Sequence, residues 1–229
     1  MTKDLRIHSA GEAALIAYFA DEASPEVAAQ IQATAERLRS ALGDMLVDLT
    51  PSYASLLVAF DPYETDQYFV QHTIRVAAQS VQATEATEGR LVELPAYYHP
   101  DCGQDLIPLA KAKGMDWEEI VRIHSEREYR VYAIGFAPGF AYLGDVDERI
   151  AAPRLSTPRQ AVPRGAVAIA DRQTAVYPAV SPGGWNLIGL SPLRMFDPAA
   201  DPTMPVGVGD RVRFVPVDRQ SFLDAGGEL

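Results

Sequence analysis

The sequence GFAPGFAYL, residues 135–143, follows a strand-like segment at residues 129–134 and places two glycines and a proline among three aromatic residues. Beyond it, short β-rich segments alternate with proline- and glycine-containing turns; they are residues 166–169, 174–177, 187–189 and 211–217. Many short strands separated by close turns are typical of an all-β barrel or sandwich. The C-terminal part of the chain is therefore predicted to form a β-barrel.

Proline and glycine are distributed unevenly over the 229 residues. Residues 1–94 contain three prolines and three glycines, whereas residues 95–229 contain fourteen and thirteen. The first part alternates strand-like segments with two amphipathic helices, and the first helix starts with Ser24 as N-cap and Pro25 at the first helical position. We predict an α+β fold, in which a small α+β sandwich domain (residues 1–94) precedes a β-barrel domain (residues 95–229).

The predicted elements of the first domain are strands at residues 5–8, 13–19, 45–49, 55–60 and 91–94, and helices at residues 25–42 and 65–83. The second domain is predicted to begin with two helices, at residues 105–113 and 116–124. Gly114 follows the first of these as a C′ residue, and Asp116 with Glu119 gives the second a capping box.

Composition excludes several classes of function. The net charge of −11 disfavours binding to nucleic acid or to an anionic membrane. Cys102 is the only cysteine, and the four histidines lack metal-ligand spacing, so neither a disulfide nor a metal site is expected in this chain. No apolar run approaches the ~20 residues of a membrane helix, and the N-terminus lacks an apolar signal segment, so we expect a cytoplasmic protein.

The loop at residues 135–143 is the first candidate binding feature. Gly135 and Gly139 allow backbone N–H groups to approach a ligand, and Phe136, Pro138 and Phe140 can form an apolar wall. The same composition also fits a tight corner of the barrel whose end is filled by aromatic side chains.

Three Pro-Arg dipeptides at five-residue spacing form the second feature, and they end in Arg154, Arg159 and Arg164. Residues 149–172 contain five arginines and one acid in an otherwise acidic protein. Proline restricts the backbone, so a guanidinium group loses little conformational entropy when it binds a carboxylate or a phosphate. Arginines that are solvated, or paired with the acidic N-terminal domain, are the alternative.

Two further features are weaker. A Gly-Gly step permits close backbone approach beside an indole face, but an ordinary hairpin turn would look the same; its residues are Ser181, Pro182, Gly183, Gly184 and Trp185. His124 lies just before the first barrel strand and is a candidate for lining a site, although a histidine near a helix C-terminus is commonly only a favourable contact with the helix dipole. No GxxxxGK[ST] or GxGxxG phosphate loop supports a self-contained nucleotide site.

The motifs occur in one fixed order: His124-Ser-x-x-Glu128-Tyr, GFAPGFAYL, the Pro-Arg series, Val176-Tyr177-Pro178, SPGGW (181–185) and Ile188-Gly189-x-Ser-Pro192. In this order they resemble the PxpB/KipI family, also called allophanate hydrolase subunit 1. The module is also similar to part of the carboxyltransferase domain of urea carboxylase. The specific resemblance covers about residues 97–217.

The resemblance implies a cyclophilin-like fold for the barrel and one subunit of a heteromeric, ATP-dependent 5-oxoprolinase, which opens 5-oxo-L-proline to L-glutamate. It implies a PxpC/KipA-like and a PxpA (LamB/YcsF)-like partner subunit, ATP as a co-substrate of the assembly, and an inactive isolated chain. Some members instead inhibit a histidine kinase, which gives a second hypothesis of another class. A biotin-dependent carboxyltransferase half ranks below both, because the chain has no biotinyl-lysine motif.

Under the enzyme hypothesis, the catalytic candidates are Arg154, Arg159 and His124. The walls of a substrate or nucleotide site would come from the 135–143 loop, Tyr177 and the 181–185 turn. The sequence departs from the family pattern at two nearby motifs: Leu190 stands where an arginine is usual, and Arg164 stands where a small residue is usual. Arg164 is therefore a candidate replacement for the missing arginine.

Overall fold

The computed structural model of the chain describes residues 5–79 and 89–229, and it separates into two units, Met1–Glu88 and Gly89–Leu229. Both units combine helices with a mainly antiparallel sheet, which confirms the predicted α+β class. In the residues described, no helix is long and apolar enough to span a membrane.

The first unit consists of one antiparallel sheet and two helices. Its elements are β1 (Arg6–Ser9), β2 (Ala14–Tyr18), α1 (Pro25–Leu42), β3 (Leu46–Pro51), β4 (Ser55–Phe60) and α2 (Gln67–Gln79). The sheet has the strand order β1-β2-β4-β3. Ser24 caps α1 as predicted, because its side chain accepts a hydrogen bond of 3.2 Å from the Val27 backbone N–H. Residues 80–83, predicted to end the second helix, lie outside the described part of the chain.

Alternating burial along the strands gives this unit its core. On β4 the side chains of Leu56, Val58 and Phe60 are buried, while the residues between them are only partly covered. They pack in one cluster with apolar side chains of α1 such as Ile31 and Leu38. The period-2 pattern of the strand and the 3.6-residue pattern of the helix thus meet in a single apolar layer.

The second unit contains the remaining elements. They are β5 (Leu91–Ala96), α3 (Leu106–Lys113), α4 (Trp117–Ser125), β6 (Glu128–Ile134), β7 (Ala141–Gly144), β8 (Arg159–Val162), β9 (Ala166–Ala170), β10 (Gln173–Val176), β11 (Ser181–Gly183), β12 (Asn186–Leu190), β13 (Arg211–Pro216) and α5 (Arg219–Asp224). Seven strands form a sheet in the order β12-β9-β10-β7-β6-β13-β5, and β11 pairs with β8 separately.

The seven-stranded sheet curls until its two edges meet. Tyr97 follows the edge strand β5, and Leu190 ends the opposite edge strand β12. These two residues exchange backbone hydrogen bonds of 2.7 and 2.9 Å. Joining the edges removes unpaired backbone groups and gives the barrel-type architecture that the sequence predicted.

Two details of the prediction differ from the structure. The strand predicted to end the first domain, residues 91–94, is β5 and pairs in parallel with β13 of the second unit. Parallel pairing joins segments far apart in sequence, so no local pattern could have revealed this partner. The helix predicted from Asp116 exists as α4, but the Asp116 side chain makes no capping hydrogen bond.

Candidate functional site

An aromatic cluster centred on Phe140 brings three sequence motifs together. The centroid of its ring lies 4.8 Å from that of Tyr142, 5.2 Å from Tyr177, 5.6 Å from Trp185 and 5.3 Å from Phe136. All four pairs are edge-to-face, which is a favourable arrangement for aromatic rings. The 135–143 loop, the end of β10 and the 181–185 turn therefore converge.

The 135–143 loop has an unusual backbone at two positions. Gly139 has φ +83°, and a Cβ atom there would lie 2.5 Å from the Met195 carbonyl oxygen, so only glycine fits. Phe136 has φ +71° although it is not glycine, and its side chain is 65% exposed. A bulky residue in this conformation is strained, and such strain is often found at functional sites. Pro138 is exposed beside it.

Arg154 lies over the face of Trp185. Its guanidinium carbon is 5.8 Å from the centroid of the indole, within the range of a cation–π contact. Hydrogen bonds on both sides hold this pair together: the Leu155 N–H donates to the Gly184 carbonyl (2.7 Å), and the Asn186 side chain donates to the Pro153 carbonyl (2.9 Å). The Arg154 side chain is exposed and makes no hydrogen bond or ion pair with residues 5–79 or 89–229.

The Tyr177 hydroxyl is influenced by both Arg154 and Trp185. Burial raises the pKa of this phenol, while the positive charge of Arg154 and a hydrogen bond with the Trp185 backbone act in the opposite direction. The hydroxyl therefore stays protonated at neutral pH, and the Tyr177 side chain is buried, at 2% exposed. A Cβ atom on Gly183 would collide with it, which explains the glycine at this position.

Arg159 belongs to the same Pro-Arg series but has a different environment. Its Nη2 donates to the Asp105 carboxylate (2.7 Å), and its Nη1 donates to the Trp185 carbonyl (3.3 Å). Asp105 is 8% exposed, and its other oxygen accepts the Leu187 N–H at 2.7 Å. This ion pair supports the backbone from the Trp185 carbonyl to the Leu187 N–H, so Arg159 is positioned to hold the site rather than to bind a ligand directly.

Sequence reasoning missed Asp105 as part of this arrangement. The residue was predicted only as the first position of a helix, and it does precede α3. Its side chain makes no capping hydrogen bond and instead contacts Arg159, which lies 54 residues later. Its position next to a helix start gave no signal of that contact.

His124 does not lie at this site. The ring is fully buried and packs 4.6 Å from Phe214, between centroids. Thr174 Oγ1 donates to the Ala168 carbonyl (3.0 Å) and therefore accepts the hydrogen bond from His124 Nε2 (2.9 Å). His124 Nδ1 then accepts from the Tyr98 hydroxyl (2.8 Å). Burial lowers the pKa of His124 to about 3, so the ring is neutral and holds elements of the core together.

The other candidate chemistries have no geometric support. The Cys102 thiol is buried against the carbonyls of Tyr97 and His99, and burial raises its pKa. Within the described ranges, no group of three or more His, Cys, Asp or Glu side chains could hold a metal ion. What the barrel does assemble is an exposed arginine over a buried indole, with a buried phenol nearby, since Trp185 is 4% and Tyr177 2% exposed; the exposed guanidinium suits an anion.

The sequence matches a known family along most of its length. The profile of the family "Carboxyltransferase domain, subdomain C and D" matches residues 5–206. The chain is 34% identical over 232 residues to a 5-oxoprolinase subunit of Bacillus subtilis (strain 168), and the match covers 97% of each protein.

Solved structures agree with this match. The crystal structure of TTHA0988 superimposes with a TM-score of 0.80 at 35% identity and covers 90% of this chain but 40% of the longer TTHA0988 chain. The Kluyveromyces lactis urea carboxylase shares the fold, with a TM-score of 0.75 at 16% identity over 96% of this chain and 22% of that one. Because the profile matches most of its residues and a curated relative matches it from end to end, the chain belongs to the carboxyltransferase subdomain C and D family, which confirms the resemblance inferred from its motifs.

Proposed function

We propose that the chain is one subunit of a heteromeric, ATP-dependent 5-oxoprolinase that opens 5-oxo-L-proline to L-glutamate. The observation that carries the proposal is the 34% identity to the Bacillus subtilis 5-oxoprolinase subunit over 97% of both proteins. Because the match runs through both units, the relative resembles the whole chain and not the barrel alone.

The Arg154–Trp185 pair supplies chemistry that this reaction needs. Opening a lactam requires an activated carbonyl, and phosphoryl transfer from ATP to the lactam oxygen is a direct way to activate it; ADP, phosphate and glutamate are the net products after water is added. Arg154 would bind the substrate carboxylate or a phosphoryl oxygen and stabilise the charge that develops. Trp185 and Tyr177 are 4% and 2% exposed and would hold the site from within the barrel, so the lactam ring would lie at the surface beside Arg154.

The site on this chain is incomplete. Arg154 is exposed, and His124, one of the three catalytic candidates from the sequence, is fully buried. We propose that PxpC/KipA-like and PxpA (LamB/YcsF)-like subunits complete the site and that the assembly, which consumes ATP, works in the cytoplasm. The TTHA0988 chain, in which the matching part is 40% of the length, supports a neighbouring polypeptide beside this module.

The test is 5-oxoproline-dependent ADP release by the chain purified together with its two partner subunits, with each component left out in turn. We expect activity from the three-component assembly and none when this chain is omitted. An assembly that forms but releases no ADP with 5-oxoproline would overturn the proposed substrate. Activity that persists without this chain would overturn its role in the enzyme.

A second function, binding and inhibition of a sensor histidine kinase, is favoured by one observation. The rings of Phe136 and Phe196 and the side chain of Val180 are exposed, at 65%, 38% and 67%. Aromatic side chains such as the two phenylalanines are enriched in the centres of protein-binding surfaces. Gel filtration of the chain mixed with a kinase dimerisation domain encoded beside it tests this function, which fails if the two elute separately.

A further inference from the structure

We propose that Arg164 and Ser181 form an oxyanion-binding site of their own, separate from the Arg154–Trp185 pair, at the turn between β8 and β9. Two atoms carry this inference: Arg164 Nη1 and Ser181 Oγ are both buried, and neither has a hydrogen-bond partner in the part of the chain that the structure describes. The inference concerns binding by this chain and does not depend on 5-oxoprolinase activity.

Backbone pairing brings the two residues onto neighbouring segments. Ser181 is the register partner of Val162 at the end of β8, two residues before Arg164. One residue after Arg164, the Gly165 N–H donates to the Tyr177 carbonyl at 2.8 Å. Arg164 therefore lies between two points at which its segment is joined to residues 177–181.

The turn that carries Arg164 is tightly fixed. The Ala166 N–H donates to the Pro163 carbonyl at 3.2 Å, which closes the turn. Gly165 has φ +82°, and a Cβ atom there would collide with the Ser191 carbonyl. The Ser191 N–H also donates to the Gly165 carbonyl at 2.7 Å. The backbone that carries Arg164 is therefore held in one conformation before any ligand arrives.

The unsatisfied atoms specify the kind of ligand. A buried N–H of a charged guanidinium is costly without an acceptor, and buried polar groups normally have partners. Arg159, on β8, meets this need through Asp105. Within residues 5–79 and 89–229, Arg164 has no such carboxylate. A carboxylate or phosphate oxygen would accept from both Arg164 and Ser181 and would neutralise the charge, which a water molecule would not.

The experiment is calorimetric titration of the full chain with inorganic phosphate, and separately with 5-oxo-L-proline as a carboxylate, at constant ionic strength. We expect Arg164→Gln to weaken binding about tenfold or more and Ser181→Ala to weaken it several-fold, since each removes a hydrogen bond to a charged group. Arg194→Gln removes the same charge from an exposed arginine of the same unit and should change binding less than about twofold. Arg164→Lys keeps the charge, removes the planar fork and should also bind more weakly.

The outcomes distinguish a phosphoryl group from a carboxylate as the ligand, and the Arg164–Ser181 site from the Arg154–Trp185 pair. Binding of phosphate alone assigns the site to a phosphoryl group, and binding of 5-oxo-L-proline alone assigns it to a carboxylate. Binding that depends on Arg154 but not on Arg164 overturns the inference, as does binding weakened equally by Arg194→Gln. Absence of binding by the correctly folded wild-type chain also overturns it and leaves water as the partner of the two atoms.

Discussion

The buried His124 ring and the exposed Arg154 guanidinium, both in the second unit, differ in whether their polar groups have hydrogen-bonding partners. Both ring nitrogens of His124 have partners, Tyr98 and Thr174. The Arg154 guanidinium has an indole beneath it but no hydrogen-bonding partner among the described residues. Buried polar groups that are fully satisfied stabilise a fold, whereas an exposed and preorganised donor is available to a ligand. Arg159, ion-paired with Asp105, belongs with the first kind although its sequence context matches the second.

The largest effect expected from this contrast is on activity. Arg154→Ala should reduce ADP release by the assembled enzyme about 100- to 1,000-fold, the usual cost of losing a donor to developing charge. Stability should change by less than about 0.5 kcal/mol, because the side chain is exposed. Arg194→Ala is the matched control and should retain activity. Unchanged kcat and KM in the Arg154 variant would remove this residue from the site.

The next effect is on stability and concerns the support beneath Trp185. Asp105→Ala should lower the free energy of unfolding by about 3 kcal/mol, because it leaves the Arg159 charge largely buried without its partner. Asp101→Ala is the control, since the Asp101 side chain is 76% exposed and pairs with His99 across the surface; it should cost less than about 1 kcal/mol. Urea denaturation measures both.

The double variant Asp105→Ala/Arg159→Met sharpens this test. It removes both charges and should recover part of the lost stability, as replacement of a buried ion pair by apolar groups often does. If Asp105→Ala costs no more than Asp101→Ala, the ion pair does not hold the site and Arg159 returns as a candidate for direct ligand binding.

Local sequence patterns predicted the elements and part of the site. The Ser24-Pro25 start of α1, the close-spaced strands of the barrel and the glycine-rich turns depend on short-range rules, and these elements are present. The convergence of Phe140, Tyr177 and Trp185 was predicted only because the motifs matched a family in order. Composition alone could not decide whether residues 135–143 form a corner of the barrel or a binding loop.

Partners far apart in sequence could not be predicted. Arg159 and Asp105 are 54 residues apart, and His124 lies between partners 26 residues before it and 50 after it. The five-residue spacing of the Pro-Arg dipeptides made the three arginines look equivalent. In the structure each has its own environment: Arg154 stacks on an indole, Arg159 pairs with a carboxylate, and Arg164 keeps one buried atom unpartnered among the described residues. The sequence shows where the three arginines are, but the contacts that each makes in the folded chain decide its role.

A smaller effect should appear in the pH dependence of stability. Burial lowers the pKa of His124 to about 3 in the folded chain, below its ordinary value of 6.5. As the pH falls below 6.5 the unfolded chain gains a proton that the folded chain cannot accept, so stability present above 6.5 is lost progressively towards pH 3. Between pH 7.5 and 5 the loss should be about 2 kcal/mol.

His124→Gln is the matched variant for this prediction. Glutamine can still hydrogen-bond to Tyr98 and Thr174 but does not titrate, so its unfolding free energy should change less over the same pH range, whatever its stability at pH 7.5. Urea denaturation at the two pH values measures the difference. Equal losses in the variant and the wild-type chain would show that His124 is not the group responsible.

The smallest expected effect concerns Phe136, where the exposed site and the backbone strain coincide. Asparagine adopts the left-handed region more readily than phenylalanine, so Phe136→Asn should raise the free energy of unfolding by about 0.5 kcal/mol even though it removes a ring contact with Phe140. Phe196→Asn is the control, because Phe196 is also exposed but does not have a positive φ; it should be neutral or destabilising. A variant that is more stable yet associates more weakly with its partner subunits in gel filtration would show that the strained ring serves binding and not the fold. If Phe136→Asn instead lowers the free energy of unfolding by more than about 1 kcal/mol, Phe136 is a packing residue, and the aromatic loop stabilises the fold rather than binding a partner.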